Sequence, residues 1–186
     1  MRLTPILMSA AILAACGSGN EARYLIDPPA VSAERPARVA TVEMRDVSLP
    51  AYASAVEISR LEADGALRNL PDSLWADDPV RGVTHALARS LDAASRATVA
   101  AEPWPLSDPA QAVVDVRIER LVARADGKLE LAAQYAIASP DGLIRERIGR
   151  FQTTVEMGGE GPDAIAAAAG QAIAELADRL AEELSR

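Results

Sequence analysis

The sequence is poor in the residues from which reactive centres are built: one cysteine, one histidine, and aromatic side chains at 3% of positions. A single thiol closes no internal disulfide and completes no zinc-thiolate site, so both are excluded. The lone histidine, His85, is accompanied by no Gly-x-Ser-x-Gly elbow and no Cys-His pair, which argues against nucleophilic catalysis. There is no histidine cluster for a transition metal and no Asp-x-Asp-x-Asp-Gly loop for calcium, and no cofactor is expected. The glycines of GSGN and of Gly158-Gly159-Glu160-Gly161 lack the Lys-Ser/Thr that would hold phosphate and magnesium. The formal charge of -8 has the wrong sign for nucleic acid, and no polybasic patch is present to bind lipid headgroups. The apolar run Leu3 to Leu13 is much shorter than the roughly 20 residues of a spanning helix and is weakened by Pro5, so no permanent transmembrane helix is expected there.

What that run does have is the anatomy of an export signal. Arg2 supplies a positive start, Leu3 to Leu13 the apolar centre, and Ala14 and Ala15 the small residues before the single cysteine, Cys16. Leu13-Ala14-Ala15-Cys16 resembles the bacterial lipobox. That resemblance implies a diacylglyceryl group on the Cys16 sulfur, cleavage before it and acylation of the new amino terminus. The alternative is an ordinary cleaved signal whose cysteine happens to lie near the cut. One acyl chain binds a membrane marginally, whereas two or more hold it stably. Gly17 stands where an aspartate would resemble an inner-membrane retention signal, which points to the outer membrane. Residues 1–15 are therefore expected to be signal, 16–23 a small polar tether, and 24–186 one folded domain.

The folded part is expected to be α+β: an antiparallel β-sheet with two amphipathic helices packed on one face. Tyr24-Leu25-Ile26 is a short β-prone run stopped by Asp27-Pro28-Pro29, and Arg38 to Val47 alternates so that Ala40, Val42 and Met44 share a face. Leu49-Pro50 reads as an edge or a bend, because proline removes a ladder donor; an exposed edge there could add a partner strand or a second copy, and the proline could equally protect against it. Asp64-Gly65 marks a hairpin. Asp78 and Pro79 open a helix with Val80, Val83, Leu87, Leu91 and Ala94 on one side and Arg81, His85, Arg89 and Arg96 mostly elsewhere.

After the proline-marked loop PWPLSDP, three antiparallel strands are predicted, turning at Asp126-Gly127 and Pro140-Asp141-Gly142. The inward rows are Val114, Val116 and Ile118, then Leu129, Leu131, Ala133, Tyr135 and Ile137. The phase slips between Ile118 and Leu121, as a bulge or a strand end would make it. A final helix carries Ile165, Ala169, Ile173, Leu176, Leu180 and Leu184 on one stripe, and its alanines allow close packing. Its polar face is acidic, unlike that of a membrane-surface helix. Asp77/Asp78 reads as a helix entry and Glu182/Glu183 as a solvated helix end. Trp75 and Trp104 stand beside prolines or acids in predicted loops; each could anchor a partner or plug an end of the core.

Tyr24-Leu25, the run Val47-Ser48-Leu49-Pro50-Ala51-Tyr52, Ile58-Ser59-Arg60, Trp75-Ala76 before a helix, and a last helix after paired strands together resemble the ABC-type transport auxiliary lipoproteins, within them the PqiC type. The resemblance runs from Tyr24 to Leu184. One departure is Trp75-Ala76-Asp77-Asp78-Pro79-Val80, where the family tends to have Trp-Ala-Glu-Pro-Leu; acid, proline and apolar residue stay in order. The resemblance implies a non-catalytic, periplasm-facing lipoprotein of the outer membrane. It would bind a mammalian-cell-entry domain protein that carries lipids between the two membranes, with ATP hydrolysis left to another subunit. Leu49, Pro50, Tyr52, Trp75 and Trp104 are the candidate partner contacts. A structural envelope lipoprotein without a transport role would have the same anchor and fold. A tethered hydrolase, by contrast, would have to depend on His85.

Overall fold

The computed structural model describes residues 21–30 and 33–186. Cys16, the signal and most of the expected tether lie outside the described residues. Among those described, eight strands and two helices form one sheet and one core.

The centre of the sheet is β6 (Ala112–Arg124). One of its sides is taken by β7 (Lys128–Ala138), antiparallel, and β7 pairs in turn with β8 (Arg147–Glu156). Both hairpins turn where expected, with Gly127 and Gly142 at positive φ. The β6–β7 register shifts between Ile118 and Arg120, so the predicted slip is a bulge.

The other side of β6 is forked. Its first residues pair in parallel with β2 (Thr41–Met44) and its last with β3 (Glu57–Leu61), Ser48 bridging to Arg117 between them. The β2 arm ends in β5 (Thr98–Ala101), also parallel. The β3 arm continues through the Gly65 hairpin into β4 (Leu67–Trp75) and ends in β1 (Ala22–Tyr24), parallel to β4. The antiparallel pairing expected of the sheet thus describes β3–β4 and β6–β7–β8, while the remaining joints are parallel. Parallel neighbours need long crossovers; one of these carries a helix.

That helix, α1 (Pro79–Ala94), starts as its punctuation predicts: an Asp78 carboxylate oxygen accepts from the Arg81 N–H at 3.0 Å, and Pro79 occupies the first turn. The second helix, α2 (Pro162–Ser185), buries its whole predicted stripe. Both press into a single core with the inward rows of β6 and β7, all buried as read. One expectation shifts. In the β2 region it is Val39, not Ala40, that is buried before Val42 and Met44. The second helix packs against α1 as well as against β7 and β8.

The amino-terminal segment belongs to the body earlier than expected, since β1 begins at Ala22, inside the segment read as tether. It then crosses α2 as a strap. A Cβ on Gly170 would stand 2.6 Å from the Asp27 carbonyl oxygen, so only glycine lets the strap lie this close. Farther on, the Arg38 N–H donates to the Leu184 carbonyl at 3.0 Å, tying the same segment to the end of α2.

Candidate interaction surface

Of the candidate contacts, Trp75 is the last residue of β4 rather than a loop residue, and its N–H donates to the Val56 carbonyl at 2.8 Å. It is half-buried and packs on the core. Beside it opens a cleft of about 340 Å³ between the strap and the start of α1, lined among others by Tyr24, Ile26, Asp77, His85 and Arg89. Leu25, on the same rim, is 69% exposed. The carboxylates at its mouth are already engaged. Asp78 caps the helix, and Asp77 is paired with Arg81 and accepts the Asp78 N–H at 2.8 Å. The Arg81 hydrogen bonds hold the Asp77 carboxyl below the usual range. Acid-base chemistry needs a group poised near neutrality, and Asp77 does not fit that role. His85 is exposed. Among the described residues, no group of three or more His, Cys, Asp or Glu side chains is arranged to hold a metal.

Tyr52 makes a contact within the fold. Its hydroxyl oxygen accepts the Leu121 N–H at 3.3 Å, in the gap of the fork between Ser48 and β3. There the amide would otherwise lack a partner. Leu49 and Pro50 follow a residue tied to β6: the Ser48 N–H donates to the Val116 carbonyl and the Ser48 carbonyl accepts from Ile118, at 3.0 and 2.8 Å. The Pro50 carbonyl accepts from the Ala53 and Ser54 N–H groups, which is the bend that the proline announces. The long open edge is β8. Trp104 is half-buried in its loop and donates from Nε1 to the Asp108 carbonyl at 2.8 Å, stapling that loop.

The largest departure is Glu183. Read as part of a solvated helix end, it is 4% exposed. One carboxylate oxygen accepts from Arg147 Nη1 at 2.8 Å; the other meets Arg186 Nη1 at 3.2 Å, the Tyr135 hydroxyl at 3.3 Å, and Arg179. Burial pushes the carboxyl up, but the Arg147 hydrogen bond and the charges of Arg179 and Arg186 outweigh it and hold the group below its ordinary value. Tyr135 reaches Glu183 because β8 offers it no side chain: it lies across Gly149, where a Cβ would fall within 2.6 Å of the ring. These contacts lock the end of α2 to β7 and β8. No local sequence signal marks them.

The arrangement is thus a packed scaffold with a cleft beside Trp75 and a long open edge at β8. No curated protein matches the sequence. Among solved structures, an uncharacterised protein superposes with a TM-score of 0.69 at 15% identity, covering 89% of this chain and all of its own. A Xanthomonas campestris protein from a domain family of unknown function gives 0.65 at 14% identity, over 88% of this chain and 92% of its own. At such identities the likeness is one of fold. The family model described as ABC-type transport auxiliary lipoprotein component matches residues 24–181, nearly the whole described body. The chain belongs to the ABC-type transport auxiliary lipoprotein family.

Proposed function

We propose that this chain is a non-catalytic, lipid-anchored subunit of a mammalian-cell-entry-type system that moves lipids between the inner and outer membranes. In this reading, acyl chains on Cys16 hold it at the periplasmic side of the outer membrane, where it binds the transport protein. The supporting observation is how soon the fold begins: β1 starts at Ala22, six residues after Cys16. Six residues span at most about 20 Å. A domain on so short a leash stays within a thin layer at the bilayer, which raises its effective concentration for a partner ending there. The cleft beside Trp75, with exposed Leu25 on its rim, opens next to β1 and is the surface assigned to that partner.

The test is to isolate the full chain from envelope membranes in mild detergent, identify its companions by mass spectrometry, and weigh the Cys16 peptide. A mammalian-cell-entry protein is expected in the same particle, in an amount that falls when Cys16→Ser frees the chain from the membrane. Repeated recovery of folded, lipidated chain without such a companion refutes the transport role and leaves the structural one. A bare Cys16 thiol on a freely soluble chain refutes the anchor.

A further inference from the structure

Strand β8 ends the sheet with nothing on its outer side among the described residues. It pairs with β7 through ten consecutive residue pairs without a bulge, whereas the other two ends, β1 and β5, are three and four residues long. Sheet edges are commonly blunted by shortness, proline, a bulge or charged side chains. The run RIGRFQTTVE has only the last of these, Arg150 and Glu156 being exposed, and their opposite signs suit a partner that pairs them.

The direction of its free peptide groups follows from one hydrogen bond. The Met157 N–H donates to the Gly127 carbonyl at 2.8 Å, one step beyond the Lys128–Glu156 pair. Peptide direction alternates along an antiparallel strand. Arg147, Gly149, Phe151, Thr153 and Val155 therefore turn their peptide groups toward β7. Ile148, Arg150, Gln152, Thr154 and Glu156 turn theirs outward, and these five are also the residues with exposed side chains.

We propose that this edge pairs antiparallel with the same edge of a second copy, about a two-fold axis running between the two Thr153 residues. In that register Arg150 lies opposite Glu156 of the second copy, Gln152 opposite Thr154, and Phe151 opposite Val155. Arg150, Gln152, Thr154 and Glu156, each with a free peptide group, then meet one another, as the ladder requires, while Ile148 falls opposite Gly158, just beyond the strand. On the outer face opposite charges pair, and on the inner face an aromatic residue meets a β-branched one. Moving the axis to Gln152 sets Arg150 against Thr154 and Ile148 against Glu156. Moving it to Thr154 sets Arg150 against Gly158. Both shifts lose the charge match. Glu156, its side chain 75% exposed and 3.3 Å from Lys128, is free to stand between Lys128 and the incoming arginine. The interface is isologous and closes at two copies.

The axis carries one unfavourable feature, which serves as a lever. Glu175 accepts the Thr153 hydroxyl hydrogen bond, so the two-fold brings two carboxylates toward each other.

The test uses the full chain in its membrane. Thr153→Cys is oxidised and the cross-linked peptide mapped by mass spectrometry, which separates it from any Cys16 product. Residues facing each other in a non-hydrogen-bonded pair stand about 4.5 Å apart at Cα, within disulfide range, so an efficient bridge is expected. Gln152→Cys, displaced from its own copy by two residues, should bridge poorly. In detergent, sedimentation should show association weakened about tenfold by Arg150→Glu or by Glu156→Arg, restored when the two are combined, and tightened by Glu175→Gln. The proposal is overturned by a chain that stays monomeric, by thiols at 153 that fail to bridge, or by an association constant indifferent to the reversals or not restored by their combination.

Discussion

Replacing Glu183 with alanine tests the contact that local sequence conceals. The carboxylate is 4% exposed and meets Arg147 at 2.8 Å, Arg186 at 3.2 Å, Tyr135 at 3.3 Å, and Arg179. Breaking a buried ion pair by removing one member costs about 3–5 kcal/mol, because a charge is left uncompensated. The arginine side chains here keep 22–51% of their exposure and regain water, so the lower end applies, about 3 kcal/mol. For a chain of this size each kcal/mol moves Tm by about 2–4 °C, giving a fall of roughly 6–12 °C. Glu183→Gln keeps the shape and an acceptor for Tyr135, and should fall about half as far.

The pH dependence gives a second reading of the same contact. A carboxyl whose folded pKa is depressed stabilises fully above its unfolded value, about 4.3, and loses that stabilisation as pH falls through the folded value. The gap between wild type and Glu183→Gln should therefore be widest near neutrality and close toward acid. Urea and thermal unfolding from pH 7 down to pH 3 measure both effects. A Tm loss under about 2 °C for Glu183→Ala, or a gap that persists unchanged in acid, would refute the reasoning.

Three further substitutions probe other parts of the argument. Gly170→Ala would gain about 1 kcal/mol if the α2 surface were open; with the Asp27 carbonyl 2.6 Å from the new Cβ it should instead lower stability and speed amide exchange over residues 22–30, and a stabilised variant would show that the strap does not lie there. Gly149→Ala drives a methyl into the Tyr135 ring and should cost about 1–3 kcal/mol, less than additively with Tyr135→Leu in a double-mutant cycle of unfolding free energies. Asp78→Ala should cost about 1 kcal/mol through loss of the α1 cap, and Asp78→Asn much less; equal losses in denaturant titrations would deny the capping role.

The features legible in the sequence are those whose causes lie within a few residues. Asp78-Pro79 announces α1, and the glycines at 65, 127 and 142 announce the three hairpins, because positive φ is a local demand. The alternation of β6 and β7 and even the bulge after Ile118 follow from one strand's own pattern. What was not legible depends on distant partners. The parallel joints β2–β6 and β1–β4 connect segments tens of residues apart, and four-residue β5 is too short to show a period. Trp75 looked like loop because its strand is an arm of the fork. The Tyr52 hydrogen bond to β6 is hidden from the sequence because the gap it fills is made by β3 and β6 together. Glu183 sits among acids in a last helical turn, which ordinarily means water; its burial is imposed by Tyr135 and Arg147, 48 and 36 residues away.

The strap over Gly170 has a mechanical consequence if Cys16 is fixed in a bilayer. Tension from the lipid would arrive first at Ala22 and meet a three-residue ladder against β4. Peeling residues 22–30 would lengthen the leash by about 30 Å while the β6–β7–β8 hairpins and both helices stayed knitted. The domain would then yield slack before it yielded its core, as a stitched hem gives way ahead of the cloth.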